Sequence, residues 1–522
     1  MEWAELPQQV AGGSGMKQDE ALQIMNAGAS VFLTGAPGAG KTYVLNKFVK
    51  HARAAGRTVS VTATTGIAAT HIDGQTIHSW SGIGVAQAPS EALIRRIRSF
   101  RRKALQGADV LIIDEVSMMP AWQFDLVDQV CRAVRRDHNE PFGGLQVIVS
   151  GDLFQLPPVV SSQRNRFVME HDDEVMEFRK GYSDAGLDPD GFITQSFAWR
   201  DLGAAVCYLT EQHRQDVGDL LRVLTHIREG RVTPEDNDAL LSRVRSAPAN
   251  SSAVRLYPTN RQADQLNDMR LHQLTGMPRV YTATSTGSPT IVQHLKRSML
   301  APEQLVLKEG AAVMALRNDT EHRYVNGSLG VVIGFGSRLK NRETQPDAGA
   351  PVVRFENGNT VTMQPADWEV TDNDAVLASV SQIPLRCAWG ITIHKSQGMT
   401  LDAAVMDLRR AFAPGMGYVA LSRVESMDGL YLEGLGPRAY DVSDEAMRID
   451  AELAQRSQEA IETLHGVGAI ALTRPTRPAG SAGGSGNPHG GTTANSKTGA
   501  AGNGGADAED EFSQGFSQGT LF

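Results

Sequence analysis

One segment limits what this chain can fold into more than any other. An apolar run, Val31, Phe32 and Leu33, leads into Gly35-Ala36-Pro37-Gly38-Ala39-Gly40-Lys41-Thr42 and then into the helix-like residues 43–50. A strand that ends in such a loop and enters a helix builds a cradle for a nucleoside triphosphate. Glycines let backbone N–H groups turn inward onto phosphate oxygens, the Lys41 ammonium meets the β and γ phosphates, and the Thr42 hydroxyl can ligate Mg²⁺. The pattern G-x-x-x-x-G-K-[ST] is complete. A turn that only reversed the chain would need neither the strand before it nor the helix after it.

At 522 residues the chain exceeds what one core organises, and about three folded units are expected. The three cysteines, Cys131, Cys207 and Cys387, are far apart and form no C-x-x-C pair, which argues against a disulfide framework and a zinc site. No basic-then-apolar leader opens the chain and no run approaches the roughly 20 apolar residues of a membrane span. The expectation is a cytoplasmic protein without a membrane partner. A net charge of −9 speaks against coating nucleic acid through bulk charge, so any such contact has to be a local groove.

Short apolar strands at residues 31–34, 59–63, 110–114 and 146–151 alternate with helical stretches. Such alternation predicts an α/β fold with a parallel sheet, helices on both faces and ligands at the carboxyl ends of the strands. Residues 165–191 are charged and poor in apolar periodicity, and read as a surface connection. A second α/β unit is expected to begin near Phe197, with buried strands at 253–258 and 403–407. Between them residues 297–372 turn β-like, and Asn357-Gly358 between two β-branched runs is a hairpin signal. The expected division is therefore 1–192, 193–296 with 373–445, an inserted β-barrel at 297–372, a helical extension at 446–472 and a tail at 473–522. Beyond Pro475 the Gly, Ala, Ser, Thr and Asn composition cannot offset its ordering entropy, and the tail reads as disordered.

The apolar run 110–113 ends in Asp114 and Glu115. Asp114 there can hold Mg²⁺ through water, and Glu115 can orient and deprotonate an attacking water. Gln155, in Gly151-Asp152-Leu153-Phe154-Gln155-Leu156-Pro157-Pro158, lies at the same sheet edge, where a neutral amide can bond the γ phosphate or the lytic water. Arg214 and Arg423 belong to the second unit. An arginine reaching across a cleft stabilises transition-state charge, with effects of about 10³ to 10⁵ in rate in other nucleotide hydrolases.

With Gln18, the stretch 62–80 that carries Thr64, His78 and Trp80, and Ile391-Thr392-Ile393-His394-Lys395-Ser396-Gln397-Gly398-Met399-Thr400-Leu401, this set resembles the Pif-family DNA helicases of superfamily 1B. The likeness runs in order over about residues 16–435. Residues 114–132 and Val325-Asn326-Gly327-Ser328 favour that family over RecD-type helicases. The resemblance implies two RecA-like P-loop domains in tandem with an SH3-like barrel inserted in the second. It implies an ATP- and Mg²⁺-dependent motor that moves 5′ to 3′ on single-stranded DNA, acts on forked DNA in replication, repair or recombination, and works as a monomer. Gln18 would read adenine, Gly35, Ala36, Pro37, Gly38, Ala39, Gly40, Lys41 and Thr42 would cradle the phosphates, and Gly398 would lie near the γ phosphate. Thr64, His78, His394 and Ser396 would contact single-stranded DNA. Trp80 offers a stacking face worth roughly 1–3 kcal/mol per base.

Residues 78–103 correspond to the family's small strand-separating insertion, and the basic run 95–103 reads as a solvated helix face. Met416 replaces the glutamine usual in the family, which puts that residue's contact in doubt. Two alternatives stay open: a RecD-type subunit of a recombination nuclease complex, and a nucleotide switch indifferent to DNA. At the far end, Gln518, Leu521 and Phe522 resemble the short peptides that dock into sliding clamps, bacterial or phage, on an acidic tether with no core of its own to join.

Overall fold

A computed structural model describes residues 15–72, 74–84, 86–158, 173–211, 218–247, 253–299, 301–319, 321, 323–324, 326–336, 349–372 and 375–473. The tail from residue 474, the 518–522 tip, Val325 and Arg214 lie outside them.

Among the described residues six strands, β1 (Val31–Gly35), β2 (Val59–Ala63), β3 (Gln75–Thr76), β4 (Val110–Asp114), β5 (Gln146–Ser150) and β6 (Ala205–Leu209), form one sheet in the order β3-β2-β4-β5-β1-β6. Every pairing is parallel, with Phe32 opposite Val149 and Val110 opposite Gln146. The near-continuous apolar runs are those of strands covered on both faces. Alternate residues serve opposite cores: Phe32, Leu111, Ile113, Val147 and Val149 face one, and Val31, Leu33, Val110, Ile112 and Ile148 the other. Because β4, β5 and β1 are neighbours, the loops that follow them emerge side by side at one sheet edge.

β6 corrects the expected boundary at 192/193. It pairs with β1 from Val31–Ala205 to Gly35–Leu209, so the first sheet extends past Phe197. The segment expected to be a mere surface connection also contains a helix, Asp173–Asp184, whose Tyr182 is fully buried and donates to the Asp125 carboxylate. Its charged composition hid that burial, which rests on Val175 and Tyr182 alone.

The chain next forms β7 (Val254–Tyr257) and, after the helix Asn260–Gln273, leaves for an inserted region. There β8 (Arg279–Thr282), β9 (Thr284–Gly287), β10 (Gln304–Leu307), β11 (Ala312–Ala315), β12 (Leu329–Phe335), β13 (Pro351–Phe355), β14 (Thr360–Thr362), β15 (Ala366–Asp372), β16 (Ala375–Gln382) and β17 (Leu385–Cys387) follow in turn. β14-β13-β12-β11-β17 form an antiparallel sheet, and with the β8-β10 pair they enclose a core of Tyr281, Leu305, Val313, Val353, Phe355 and Leu385. The hairpin signal lies between β13 and β14, with Gly358 at φ +85°.

The insertion thus reaches from Arg279 to Cys387, wider than the expected 297–372. It includes a second sheet, β15-β16-β9, packed on the helix Pro289–Ser298. Strand β9 escaped notice because all four of its residues are exposed and show no apolar alternation.

The chain returns with β18 (Gly390–Thr392), β19 (Ala404–Leu408) and β20 (Leu430–Leu435), which join β7 in a parallel sheet, β18-β7-β19-β20. The long helix Asp444–Val467 is capped by Ser443 and goes back to the first sheet. Ser457 Oγ accepts from Tyr208 N at 3.1 Å, and Arg456 donates to Ala204 O at 2.8 Å.

Candidate active site

Three loops converge at the carboxyl edge of the first sheet. In the loop after β1, Gly35, Gly38 and Gly40 have φ of +146°, +84° and +84°, conformations that favour glycine. A Cβ at Gly40 would lie 2.1 Å from Gln18 Nε2, which itself donates to Ala39 O at 3.1 Å. Gln18 is thus held on the loop, and its backbone N–H donates to Glu211 at 3.0 Å. The helix Lys41–Ala54 starts directly behind, so its free N–H groups and positive dipole end face the loop. Lys41 Nζ donates to Gly35 O at 2.8 Å and Ala36 O at 3.2 Å, and burial pulls its ammonium below its ordinary range against the fields of Asp152 and Glu115. Thr42, in the first turn, is exposed.

The loop after β4 brings two carboxylates. Asp114 is buried and its carboxyl is pushed up to about 6, first by desolvation and then by Glu115. Glu115 stands at φ +53°, ψ +45°, a left-handed conformation that costs about 1–3 kcal/mol in a residue with a side chain. Two neighbours hold it there. Thr64 Oγ1 donates to its carbonyl at 2.8 Å, and Gln397 Nε2, from the far sheet, donates to its carboxylate at 3.0 Å.

The loop after β5 carries Gln155, 5% exposed, whose Nα donates to Asp152 O at 3.0 Å while its Oε1 has no protein partner. An orphaned buried acceptor beside a phosphate cradle suits a water or a ligand donor. The donor set also suits Mg²⁺: Thr42 and Asp114 supply the hard oxygens that such an ion takes alongside phosphate and water.

Arg423 is 5% exposed and donates to Ser396 O and Met399 O at 3.3 and 3.1 Å. These bonds tie it to the loop that bears Gly398, itself at φ +82°. The residues expected to contact DNA divide. Thr64 and His78 follow the adjacent strands β2 and β3, and His78 bonds Gln123 Nε2 at 2.9 Å. His394 is half-buried and stacks on Phe412, with centroids 6.2 Å apart.

Two expectations are corrected. Trp80 is 2% exposed within the main core, so its ring has no face for a base. Ser396 is fully buried and its hydroxyl donates to Ile393 O at 2.8 Å, closing its own helical turn. Met416 is also fully buried in the core, so that position packs and makes no surface contact. Sequence reasoning passed over Gln397, although it lies inside a quoted motif. It gave Asp152, Tyr418 and Arg228 no role; Arg228 carried no signal beyond a cation in a helix's last turn.

The family model described as PIF1-like helicase matches residues 17–174, and that of the DNA helicase Pif1 2B domain matches residues 291–335. The ATP-dependent DNA helicase Pif1 of Psychrobacter sp. is 38% identical over 503 residues, covering 87% of this chain and 73% of its own length. The ATP-dependent DNA helicase PIF1 of Danio rerio is 35% identical, and the chain spans 62% of its length. Among solved structures, Pif1 helicase from Candida albicans superposes with a TM-score of 0.71 at 32% identity, over 84% of this chain and 98% of that one. Pif1 helicase from Bacteroides in complex with ADP-AlF3 and single-stranded DNA superposes with a TM-score of 0.63 at 28% identity, over 86% and 99%.

Proposed function

The chain belongs to the PIF1-like helicases and is an ATP-dependent DNA helicase, and from that premise we propose how its residues divide the work. The observation that carries the reading is the bond from Gln397 to Glu115, which joins the expected base to the segment that bears His394. A change in the grip on DNA at one end of that segment can therefore reach the carboxylate at the other.

In this scheme Glu115 takes a proton from the lytic water, and Gln155 Oε1 accepts a second hydrogen bond from the same water. Lys41 and the backbone of residues 35–42 hold the β and γ phosphates, and Gln18 meets the base. Thr42 and Asp114 would hold Mg²⁺, which when bound neutralises charge between the β and γ phosphates. Arg423, from the second domain, and Arg214 supply cations when the cleft closes. Thr64, His78 and His394 line the path of single-stranded DNA and contact it without reading sequence.

Closure on ATP and reopening after hydrolysis give alternate grip and a 5′-to-3′ step. The setting that goes with this reading is cytoplasmic, bacterial or phage, with the monomer as the working unit. The tail tip, through Gln518, Leu521 and Phe522, would tether the motor to a sliding clamp; unchanged co-elution with the clamp after deletion of residues 518–522 would sink that part.

Unwinding of forked, 5′-tailed and 3′-tailed duplexes tests the motor directly, with Lys41→Ala as the control. Preference for 3′ tails would refute the polarity, and unwinding by Lys41→Ala would refute the site.

A further inference from the structure

Beside the nucleotide cleft lies a buried ionic junction that the hydrolysis scheme leaves unused. Asp152, in the loop after β5, is fully buried, and its carboxylate accepts from Arg228 at 3.0 Å and from the Tyr418 hydroxyl at 2.9 Å. Arg228, 6% exposed at the end of the helix Asp219–Arg228, also donates to Asp450 at 3.0 Å and to the Tyr208 hydroxyl at 2.9 Å. Its guanidinium lies over the Phe154 ring, 4.4 Å from the centroid. One cation therefore ties together the Gln155 loop, β6 and the carboxyl-terminal helix, and Tyr418 adds the helix Met416–Leu421 that leads to Arg423.

The turn that presents Gln155 is built on this junction. Asp152 accepts from Phe154 N through its carboxylate at 3.2 Å and from Gln155 N through its carbonyl at 3.0 Å. On its other side the turn is pressed against Gly415, at φ +78°, where a Cβ would lie 2.6 Å from the carbonyl oxygens of both Phe154 and Gln155. Buried ion pairs add little net stability compared with apolar packing. What this arrangement does supply is one geometry, because a planar guanidinium can serve two carboxylates only in a fixed orientation.

We propose that Arg228 is a positioning residue for ATP hydrolysis: with Asp152 and Tyr418 it sets the Gln155 turn against the helix leading to Arg423, and through Asp450 it makes the carboxyl-terminal helix part of the ATPase. The proposal rests on the role given to Gln155 above.

The test is a double-mutant cycle. Tyr418→Phe removes one hydroxyl and keeps the buried ring; it is compared in the wild-type and Gln155→Ala backgrounds for DNA-stimulated kcat, KM for ATP and single-stranded DNA affinity. The expected result is a loss of about tenfold in kcat, with KM and DNA affinity unchanged, in the wild-type background, and a loss under about twofold once Gln155 is gone. Asp450→Asn, on the helix Asp444–Val467, is expected to follow the same pattern. An equal loss in both backgrounds, or no loss in either single variant, overturns the proposal. A wild-type rate for Gln155→Ala alone identifies the role of Gln155 as the part that failed, and overturns the proposal with it.

Discussion

Gln397 donates its side-chain N–H to the carboxylate of Glu115 at 3.0 Å, from a residue 3% exposed, and the same amide lies 3.3 Å from Ser117 Oγ. The pair joins loops of two different sheets. A neutral donor at that distance satisfies one oxygen of a part-buried carboxylate without adding charge. Gln397→Glu keeps the size and replaces that attraction by the repulsion of a second carboxylate. It is therefore expected to lower DNA-stimulated kcat by about tenfold or more, while Gln397→Ala, which removes the donor alone, lowers it by only about a few-fold. Steady-state ATPase rates of the two variants at saturating DNA check both, and equal rates would separate Gln397 from the work of Glu115.

The left-handed backbone of Glu115 gives a second expectation. At most positions glycine is less stable than alanine, but at φ +53° the order reverses, because alanine carries the Cβ that this conformation disfavours. Glu115→Gly is expected to unfold at higher denaturant than Glu115→Ala, by about 1 kcal/mol, with both variants inactive as ATPases. Equal midpoints would show that the loop relaxes when the carboxylate is removed.

Much of this site was legible in the sequence, for a physical reason. Residues 31–42, Asp114, Glu115 and Gln155 lie where apolar strands end, and a parallel sheet places such ends together. The residues that were missed act through non-local contacts. Gln397 meets Glu115, and Arg228 meets Asp152 and Asp450, only after both sheets have folded. Trp80 misleads for a different reason: its ring lies in the motif stretch 62–80 and offers a face on which a base could stack, while the helix Ile77–Ser81 turns the indole into the core. Strand β6 was given to the wrong domain because nothing in an apolar run says which sheet it joins.

The two rings then make contrasting predictions. Trp80→Ala is expected to cost about 3–5 kcal/mol of stability, while Trp80→Phe, if folded, binds single-stranded DNA as the wild type does. The aromatic ring open to solvent beside His394 is Phe412, 51% exposed. Phe412→Ala is expected to weaken single-stranded DNA binding by about 1–3 kcal/mol and to leave the thermal midpoint near its original value. Fluorescence anisotropy with a labelled oligonucleotide, paired with thermal unfolding, reads both.

Asp125 couples the fold itself to pH. Its carboxyl is pushed up to about 6 by burial, although Tyr182 and the N–H groups of Phe197 and Ala198 all donate to it. The folded state therefore holds this proton at pH values where the unfolded chain, at an ordinary 3.8, has released it. The sign follows: the stabilisation is fully present below about pH 4 and is lost as pH rises through 6, by up to about 1.4 kcal/mol per pH unit and about 3 kcal/mol in total. Asp125→Asn cannot titrate, so its stability is expected to fall less steeply than that of the wild type between pH 4 and 7. Urea midpoints at several pH values in that window check the difference. Parallel curves would mean that the three donors hold the carboxylate ionised throughout, and that desolvation is the weaker effect at this site.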